Sequence, residues 1–208
     1  ELMLTYLMIR DNVEDVISVL REHASNHDED YYYEVREQHY QSDPVEKAAR
    51  LIYLNRTCFN GLYRKNQKGE FNVPIGSYDN PPIVRESVLQ AASKALQNTT
   101  IAFGDFAKIE PTEKDFVYLD PPYHSNDNGF TSYTGDGFSE DDQRRVKKFA
   151  EAMRDQGVYV MISNSGTKFI QTLYGGDGFT LHPVNTTRSV SGEAKGREVV
   201  EELIITTY

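Results

Sequence analysis

The run FVYL at residues 116–119 most limits what this chain can fold into, because it is apolar throughout and ends in an acid and two prolines. A continuous apolar strand is typical of a parallel sheet that is covered on both faces. Pro121 and Pro122 have no N–H to donate to a sheet ladder, so the strand stops there and an aromatic ring, Tyr123, follows. In open α/β sheets the chemistry lies beyond the carboxyl ends of the strands. The pattern therefore predicts an α/β fold with Asp120 at a functional edge.

Hydrophobic spacing along the rest of the chain supports this fold class. After about residue 99 it predicts strands at 100–106, 116–120, 158–163, 180–184 and 200–208, with helices at about 139–157 and 167–174. Before that point it predicts helices at about 13–24, 44–56 and 83–97. A short hairpin is expected to pair residues 62–64 with residues 71–73. The sequence therefore predicts a helical, hairpin-bearing lobe followed by a sheet.

Charge and cysteine content narrow the class of protein. The net charge of −10 argues against a nucleic-acid partner, because phosphate binding favours positive surface. Residues 47–69, however, hold six Lys and Arg residues and no Asp or Glu. A solvated basic face explains this window as well as a binding surface does. The single Cys58 excludes an internal disulfide and a cysteine-based zinc site, and no apolar run is long enough to span a membrane.

The residue types at 120–123 suit one kind of ligand. The Asp120 carboxylate and a proline carbonyl supply two hydrogen-bond acceptors beside the flat ring of Tyr123. Two acceptors that hold the hydrogens of an exocyclic amine on a planar base would make its nitrogen lone pair available for attack. A strand that ends in a proline turn with a capping Asp explains the same residues without any chemistry.

The sequence as a whole resembles the Dam-type (D12 class) DNA adenine-N6 methyltransferases. The resemblance is carried by LDPPY at 119–123, by NRTCFNGLYRKNQKGEFNVPIGSY at 55–78 and by ISNS at 162–165, and it covers nearly the whole chain. The 55–78 block is its most specific part, because DPPY-like tetrapeptides also occur in enzymes that methylate cytosine N4, RNA bases or protein glutamine.

The resemblance implies a fold, a reaction and a substrate. The fold would be a Rossmann-like class I methyltransferase sheet, incomplete at its N-terminus, with a target-recognition lobe. Residues 1–24 would end the N-terminal part of the methyltransferase domain, 25–98 would form the DNA-binding lobe and 99–208 the catalytic part. S-adenosylmethionine would be the methyl donor and double-stranded DNA the substrate, without a metal. We expect a cytoplasmic monomer in a bacterial or phage-infected cell, with no membrane association.

The resemblance also assigns roles around the DPPY motif. Asp120 and the Pro121 carbonyl would bind the amine of a flipped adenine, Pro122 would shape the turn and Tyr123 would stack on the base. Asp105 and Phe106 would contact the cofactor adenine, with Asp120 nearby. Residues 130–138 would cover the base, and Ser163-Asn164 would support the shape of the site.

A second group of residues would read the DNA, with GATC as the expected target. Within 55–78 the resemblance assigns Arg64 to guanine, Leu62 and Pro74 to thymine methyl groups, Tyr78 to the outer base pair, Phe59 and Asn60 to the space that the flipped adenine leaves, and Arg56 to phosphate. Arg188 would contact phosphate near the C-terminus, with Lys195 and Arg197 as weaker candidates. The alternative for Phe59 and Leu62 is a place in the hydrophobic core.

One family feature has no counterpart in the printed sequence. Family members begin with a segment that carries an FxGxG glycine turn for the methionine part of the cofactor, and this chain shows none. We therefore expect the chain to be a piece of such an enzyme. The main alternative function is that of a catalytically inactive DNA-binding fragment. RNA or cytosine-N4 methylation is a further alternative, against which the 55–78 block argues.

Overall fold

The computed structural model describes residues 1–38, 43–125, 138–187 and 199–208. Contacts divide the chain into two compact units, Glu1–Gly104 and Asp105–Tyr208. The division falls slightly after the domain boundary at 98–99 that the sequence predicts. The assignment of 1–24, 25–98 and 99–208 to functional domains stays a prediction.

The first unit is helical. Its helices are α1 (Leu2–Asp11), α2 (Val13–Ser25), α3 (Glu29–Glu37), α4 (Pro44–Thr57) and α5 (Glu86–Leu96). The predicted helices at 13–24 and 44–56 are confirmed, whereas α5 begins at Glu86 instead of residue 83. Residue 83 lies outside the helix because its N–H closes a tight turn onto the Pro81 carbonyl. The helix α1 was not predicted.

The helix α4 is the centre of this unit. Asp43 caps its start by accepting hydrogen bonds from the backbone N–H groups of Val45 (2.8 Å) and Glu46 (3.1 Å). Its Ala48, Ala49, Tyr53 and Leu54 are fully buried. Arg50 is also buried and donates to the carbonyls of Val35 (2.8 Å) and Arg36 (2.7 Å) at the end of α3. This arginine of the basic window therefore joins two helices.

Residues 58–75 run out and return antiparallel to themselves, as the predicted hairpin requires. Isolated antiparallel bridges link Cys58 to Ile75 and Lys65 to Phe71, without continuous strands. Between Cys58 and Leu62 the chain makes a 3-10 turn in which Asn60 has a φ of 53°. This turn interrupts the ladder. Buried Phe71 and Val73 anchor the returning segment in the core of the first unit.

The second unit is a mixed sheet with two helices, which confirms the α/β fold class. Its elements are β1 (Phe116–Leu119), α6 (Glu140–Asp155), β2 (Tyr159–Ser165), α7 (Lys168–Tyr174), β3 (Thr180–Thr187) and β4 (Val199–Thr206). The strand order is β1-β2-β4-β3. The pair β1/β2 is parallel and the other two pairs are antiparallel. Apolar side chains of α6 and α7 pack with those of β1, β2 and β4 to form the core of this unit.

Two sequence predictions about this sheet are wrong. Residues 100–106 form no strand; the chain is irregular up to Asp105, and a 3-10 turn follows at Phe106–Lys108. A strand needs a neighbour for its backbone N–H and C=O groups, and among the described residues β1 pairs only with β2. The strand β1 is also not buried on both faces. Val117 is buried, but Phe116 and Tyr118 are 54% and 55% exposed.

No helix in the part of the chain that the structure describes is long and apolar enough to cross a membrane.

Candidate active site

The Asp120 carboxylate lies at the end of β1, beside the neighbouring parallel strand β2. Successive side chains of a strand alternate between its faces, so Tyr118 and Asp120 share one face. The pairing of Leu119 with Ile162 brings Ser163 of β2 next to Asp120. The Ser163 hydroxyl donates a hydrogen bond to Asp120 Oδ1 at 2.6 Å, and the Tyr118 hydroxyl donates to Ser163 Oγ at 3.0 Å.

A buried pair of amide side chains holds the backbone of the DPPY turn. Gln143 of α6 donates from Nε2 to the Pro122 carbonyl at 2.8 Å. Asn164 of β2 donates to Gln143 Oε1 at 2.9 Å and accepts from the backbone N–H of His124 at 3.0 Å. Both amide residues are almost completely buried. The turn is therefore fixed from the side of the sheet that α6 covers.

The supporting role of Asn164 was expected from the sequence, but that of Gln143 was not. A signal for Gln143 was present in the spacing of α6. Gln143 lies three residues before Val146 and seven before Ala150, on the apolar face of the helix. A polar side chain at a core position is informative, because buried polar groups need hydrogen-bond partners.

Two acceptors of the turn have no partner in the described part of the chain. Gln143 occupies the Pro122 carbonyl, whereas no hydrogen bond among the described residues ends on the Pro121 carbonyl. The Asp120 carboxylate accepts at Oδ1 from Ser163 and has no such bond at Oδ2. The turn thus presents one carboxylate oxygen and one carbonyl oxygen, the pair of acceptors that an amine with two hydrogens can use.

The ring of Tyr123 lines an open cavity of about 400 Å³ on the same side of the sheet as Asp120. Tyr118, Met161, Ser163 and Glu202 also contribute to its walls. Burial raises the pKa of the Tyr123 phenol above its ordinary value, so the ring stays neutral at physiological pH. The cavity offers an aromatic face beside the hydroxyl groups that reach Asp120.

The predicted cofactor residues, Asp105 and Phe106, lie beside α6. Asp105 accepts from the backbone N–H of Ala107 at Oδ1 (2.9 Å) and from the Arg145 guanidinium at Oδ2 (2.8 Å). The hydrogen bond with Arg145 holds the pKa of Asp105 below its usual range. The guanidinium also lies 5.3 Å from the centroid of the Phe106 ring. Sequence reasoning missed Arg145, which sits on the exposed part of an amphipathic helix and carries no motif.

In the first unit, the loop at 58–78 exposes the side chains that the sequence assigns to base reading. Phe59, Leu62 and Tyr78 are 48%, 43% and 44% exposed, so the core alternative for Phe59 and Leu62 is wrong. The backbone N–H of Phe59 donates to the Pro74 carbonyl at 2.9 Å, which places these two residues side by side. Asn55 donates to the Gly61 carbonyl at 2.9 Å and supports the turn that contains Asn60.

Arg64 is held by the opposite side of this loop. Its Nε donates to Asn72 Oδ1 at 2.8 Å and its Nη2 donates to the Asn72 carbonyl at 3.2 Å. Arg56 lies in the last turn of α4. Lys65 is engaged within the unit, because the Glu1 carboxylate binds its ammonium group at 2.9 Å. Arg188, Lys195, Arg197 and residues 130–137 lie outside the described residues.

Comparison with known proteins identifies the family. The family model of D12 class N6 adenine-specific DNA methyltransferases matches residues 1–190. The chain belongs to this family. It is a DNA adenine methyltransferase, in keeping with the resemblance that the DPPY motif and the 55–78 block carry.

Individual relatives support this membership. A Type II methyltransferase of Lactococcus lactis subsp. cremoris is 38% identical over 219 residues, which cover 100% of this chain and 76% of the relative. A Type II methyltransferase of Methanocaldococcus jannaschii is 39% identical over 225 residues, with 100% of this chain and 77% of the relative covered. A DNA adenine methylase of Vibrio cholerae is 38% identical over 186 residues, which cover 86% of this chain and 66% of that protein.

Metal ligands are not grouped in the described ranges. No three His, Cys, Asp or Glu side chains there are placed to hold a metal ion.

Proposed function

We propose that this methyltransferase transfers the methyl group of S-adenosylmethionine to the N6 amine of adenine in GATC, after the adenine has left the DNA stack. The observation that carries the proposal is the pair of acceptors at Asp120 Oδ2 and the Pro121 carbonyl, beside the Tyr123 ring. We further propose that the chain acts as a cytoplasmic monomer on double-stranded DNA.

The chemistry follows from the acceptors. The N6 lone pair of adenine is delocalised into the ring, so the free amine is a poor nucleophile. Hydrogen bonds from its two N–H groups to Asp120 and Pro121 favour a pyramidal nitrogen with a directed lone pair. The nitrogen forms a bond to the methyl carbon as the carbon–sulfur bond breaks, and the sulfur keeps the bonding electrons. The methylated amine then loses one proton to solvent, because its positive charge makes it acidic.

The adenine has to leave the helix for this reaction. In a duplex its N6 group is stacked and paired, and enzymes that act on a base edge extrude the nucleotide into a pocket. The cavity beside Tyr118 and Tyr123 is open and partly aromatic, which suits a planar base. Stacking of a base on an aromatic side chain contributes about 1–3 kcal/mol.

The donor site is proposed at Asp105 and Phe106, with Asp120 close to the transferred group. A carboxylate can accept from the adenine amine of the cofactor, and a phenyl ring can pack against its base. Both oxygens of Asp105 are engaged, one by a backbone N–H and the other by Arg145. The ion pair is half-exposed, and solvent screens exposed ion pairs so that they contribute little to stability. Arg145 is therefore the partner that the cofactor amine can displace.

The proposed target is GATC, read by the loop of the first unit. Arg64 would donate to a guanine edge, the contact that arginine makes best in the major groove. Leu62 and Pro74 would contact thymine methyl groups, and Tyr78 would contact the outer base pair. The exposure of these side chains supports base reading by the loop, and the relative named as a DNA adenine methylase supports DNA as the substrate.

Four further residues have proposed roles in holding the extruded state and the DNA backbone. Phe59 would enter the space that the adenine vacates, with Asn60 at the orphaned partner. Arg56 and Arg188 would contact phosphate.

Transfer of labelled methyl from S-adenosylmethionine to short duplexes tests this function. One duplex contains GATC and a control of equal composition contains GTAC. Label on GATC alone is the expected result. Label on both duplexes would overturn the GATC assignment. Label on neither, with retention of the GATC duplex in a gel-shift assay, would favour a DNA-binding fragment without catalysis.

A further inference from the structure

Three side chains on the β1/β2 strand pair form a directed chain of hydrogen bonds. An ionised carboxylate only accepts hydrogen bonds, so Ser163 uses its single hydroxyl proton toward Asp120, at 2.6 Å. The oxygen of Ser163 must then accept from Tyr118, whose hydroxyl lies 3.0 Å away. Both protons point toward the carboxylate. Donation from Tyr118 therefore favours the orientation in which the Ser163 hydroxyl points toward Asp120.

This chain has a consequence for the carboxylate. It occupies Asp120 Oδ1 with a short, charge-assisted hydrogen bond, which fixes the rotation of the carboxylate about its terminal torsion. The terminal torsion of Asp is broad when nothing restrains it. Because Oδ1 is held, the orientation of Oδ2 is also fixed. A target amine can then bind Oδ2 without first ordering the side chain.

The exposure of Tyr118 separates this role from simple packing. Its side chain is 55% exposed, as is that of Tyr159, at 57%, which belongs to β2 and faces the same side of the sheet. Tyr159 contacts Tyr208 through its ring. Of these two tyrosines, only Tyr118 has a hydroxyl that is connected to Asp120 through Ser163. The two tyrosines therefore differ in hydrogen bonding and match in residue type, sheet face and exposure.

We propose that Tyr118 is a positioning residue for methyl transfer, acting through Ser163 on Asp120. The inference rests on the proposed function of Asp120 as an acceptor for the target amine. The proposed role belongs to the Tyr118 hydroxyl, and Tyr118→Phe keeps the ring that lines the cavity.

Kinetics of single and double variants test this proposal on the GATC duplex. Ser163→Ala removes the donor to Asp120 and is expected to lower kcat roughly 10-fold or more, and Tyr118→Phe about 3- to 10-fold, in line with the loss of one hydrogen bond. KM for DNA and for S-adenosylmethionine should stay within about two-fold, because binding contacts are unchanged. Ser163→Thr keeps the hydroxyl and should retain most of the rate. Tyr159→Phe is the matched control and should behave as the wild type.

The double variant decides whether Tyr118 acts through Ser163. Tyr118→Phe combined with Ser163→Ala should be no slower than Ser163→Ala alone, since the outer hydroxyl has nothing left to act on. Multiplied effects would overturn the proposal. A Tyr118→Phe rate equal to that of Tyr159→Phe would also overturn it.

A measurement without substrate separates this inference from the proposed function. The ¹³C resonance of the Asp120 carboxylate in the free 208-residue chain reports its hydrogen bonding. It should shift in Tyr118→Phe and Ser163→Ala and stay unchanged in Tyr159→Phe. If the resonance shifts in these two variants but the wild-type chain transfers no methyl group, the hydrogen-bonded connection from Tyr118 to Asp120 is supported and the proposed function fails. An unchanged resonance in Tyr118→Phe would overturn the connection whether or not the wild type is active.

Discussion

The side chain of Gln143 reaches from α6 to the Pro122 carbonyl, with an N–O distance of 2.8 Å. The same amide accepts from Asn164 of β2 at 2.9 Å, so one buried side chain connects a helix, a strand and the turn. This arrangement fixes the proline backbone without using the Pro121 carbonyl. Gln143 therefore supports the turn from the α6 face of the sheet, whereas Ser163 holds Asp120 from the opposite face.

Replacing Gln143 is expected to impair both stability and activity. Gln143→Ala leaves the Pro122 carbonyl and the Asn164 amide without their partner in a buried place, which costs about 1–3 kcal/mol. The urea midpoint should fall. The value of kcat should fall by more than the small decrease in the folded fraction can explain. Gln156→Ala, at the exposed end of α6, is the control. Equal unfolding midpoints for the two variants would contradict the assigned role of Gln143.

Replacing Arg64 is expected to affect recognition more than folding. A good bidentate base contact contributes about 1–3 kcal/mol, so Arg64→Ala should lower kcat/KM on GATC roughly 5- to 150-fold. The preference for GATC over duplexes with a changed guanine should shrink in parallel. Arg21→Ala removes an exposed arginine that pairs with Glu86 and should leave the preference unchanged. A loss that is the same for every duplex would show that Arg64 binds phosphate instead.

Arg56 is expected to show the complementary behaviour. A phosphate contact contributes to the salt dependence of binding and carries no sequence information. Arg56→Ala should weaken binding to all duplexes by a similar factor. The slope of log K against log salt concentration should become less negative by about 1, as measured by fluorescence anisotropy. An unchanged slope would remove Arg56 from the DNA interface.

The buried His23 is expected to make the first unit sensitive to acid. Its Nδ1 lies 2.8 Å from the Tyr31 hydroxyl, its ring stacks on Tyr53, and no described residue partners its Nε2. Burial, with a smaller contribution from the charge of Arg50, lowers the pKa of His23 from 6.5 to about 4. Between these values the unfolded chain binds more protons than the folded one. The contribution of neutral His23 to the free energy of unfolding is therefore complete above pH 6.5 and is lost as the pH falls toward 4.

Urea unfolding at several pH values checks this expectation. Neutral burial of His23 predicts that the free energy of unfolding falls by up to about 3 kcal/mol between pH 7 and pH 4 from this residue alone. His23→Gln should be less stable at pH 7 and should lose less on acidification. If the wild type and the variant lose the same free energy over this range, the imidazole is not the group responsible.

Local signals predicted much of the fold. The Asp43-Pro44 pair gave the start of α4, and the apolar run before Asp120 gave the position of β1 and the turn. These signals depend only on residues that are close in sequence. They can therefore be read without knowing the tertiary contacts. The proposed roles at Asp120 to Tyr123 came from the chemistry of the side chains and the family resemblance.

The failures share a physical cause, because each depends on partners that are distant in sequence. Residues 100–106 have strand-like composition but no described neighbour to pair with. Arg50 looked like part of a basic surface, yet carbonyl groups at the end of α3 hold it in the interior. Gln143 and Arg145 act on residues more than twenty positions away, at Pro122 and Asp105. Hydrophobic periodicity indicates which face of an element is buried, but it does not identify the distant residue that a side chain on that face will contact.

The most direct test of the account is nucleoside analysis of a GATC duplex after incubation with S-adenosylmethionine and either the wild-type chain or Asp120→Asn. The substitution keeps the size of the side chain and replaces a carboxylate oxygen by an amide that repels the amine hydrogens. The account predicts N6-methyldeoxyadenosine from the wild type and at least about 100-fold less from a variant with the same unfolding midpoint. Equal amounts of N6-methyldeoxyadenosine from both proteins would contradict it.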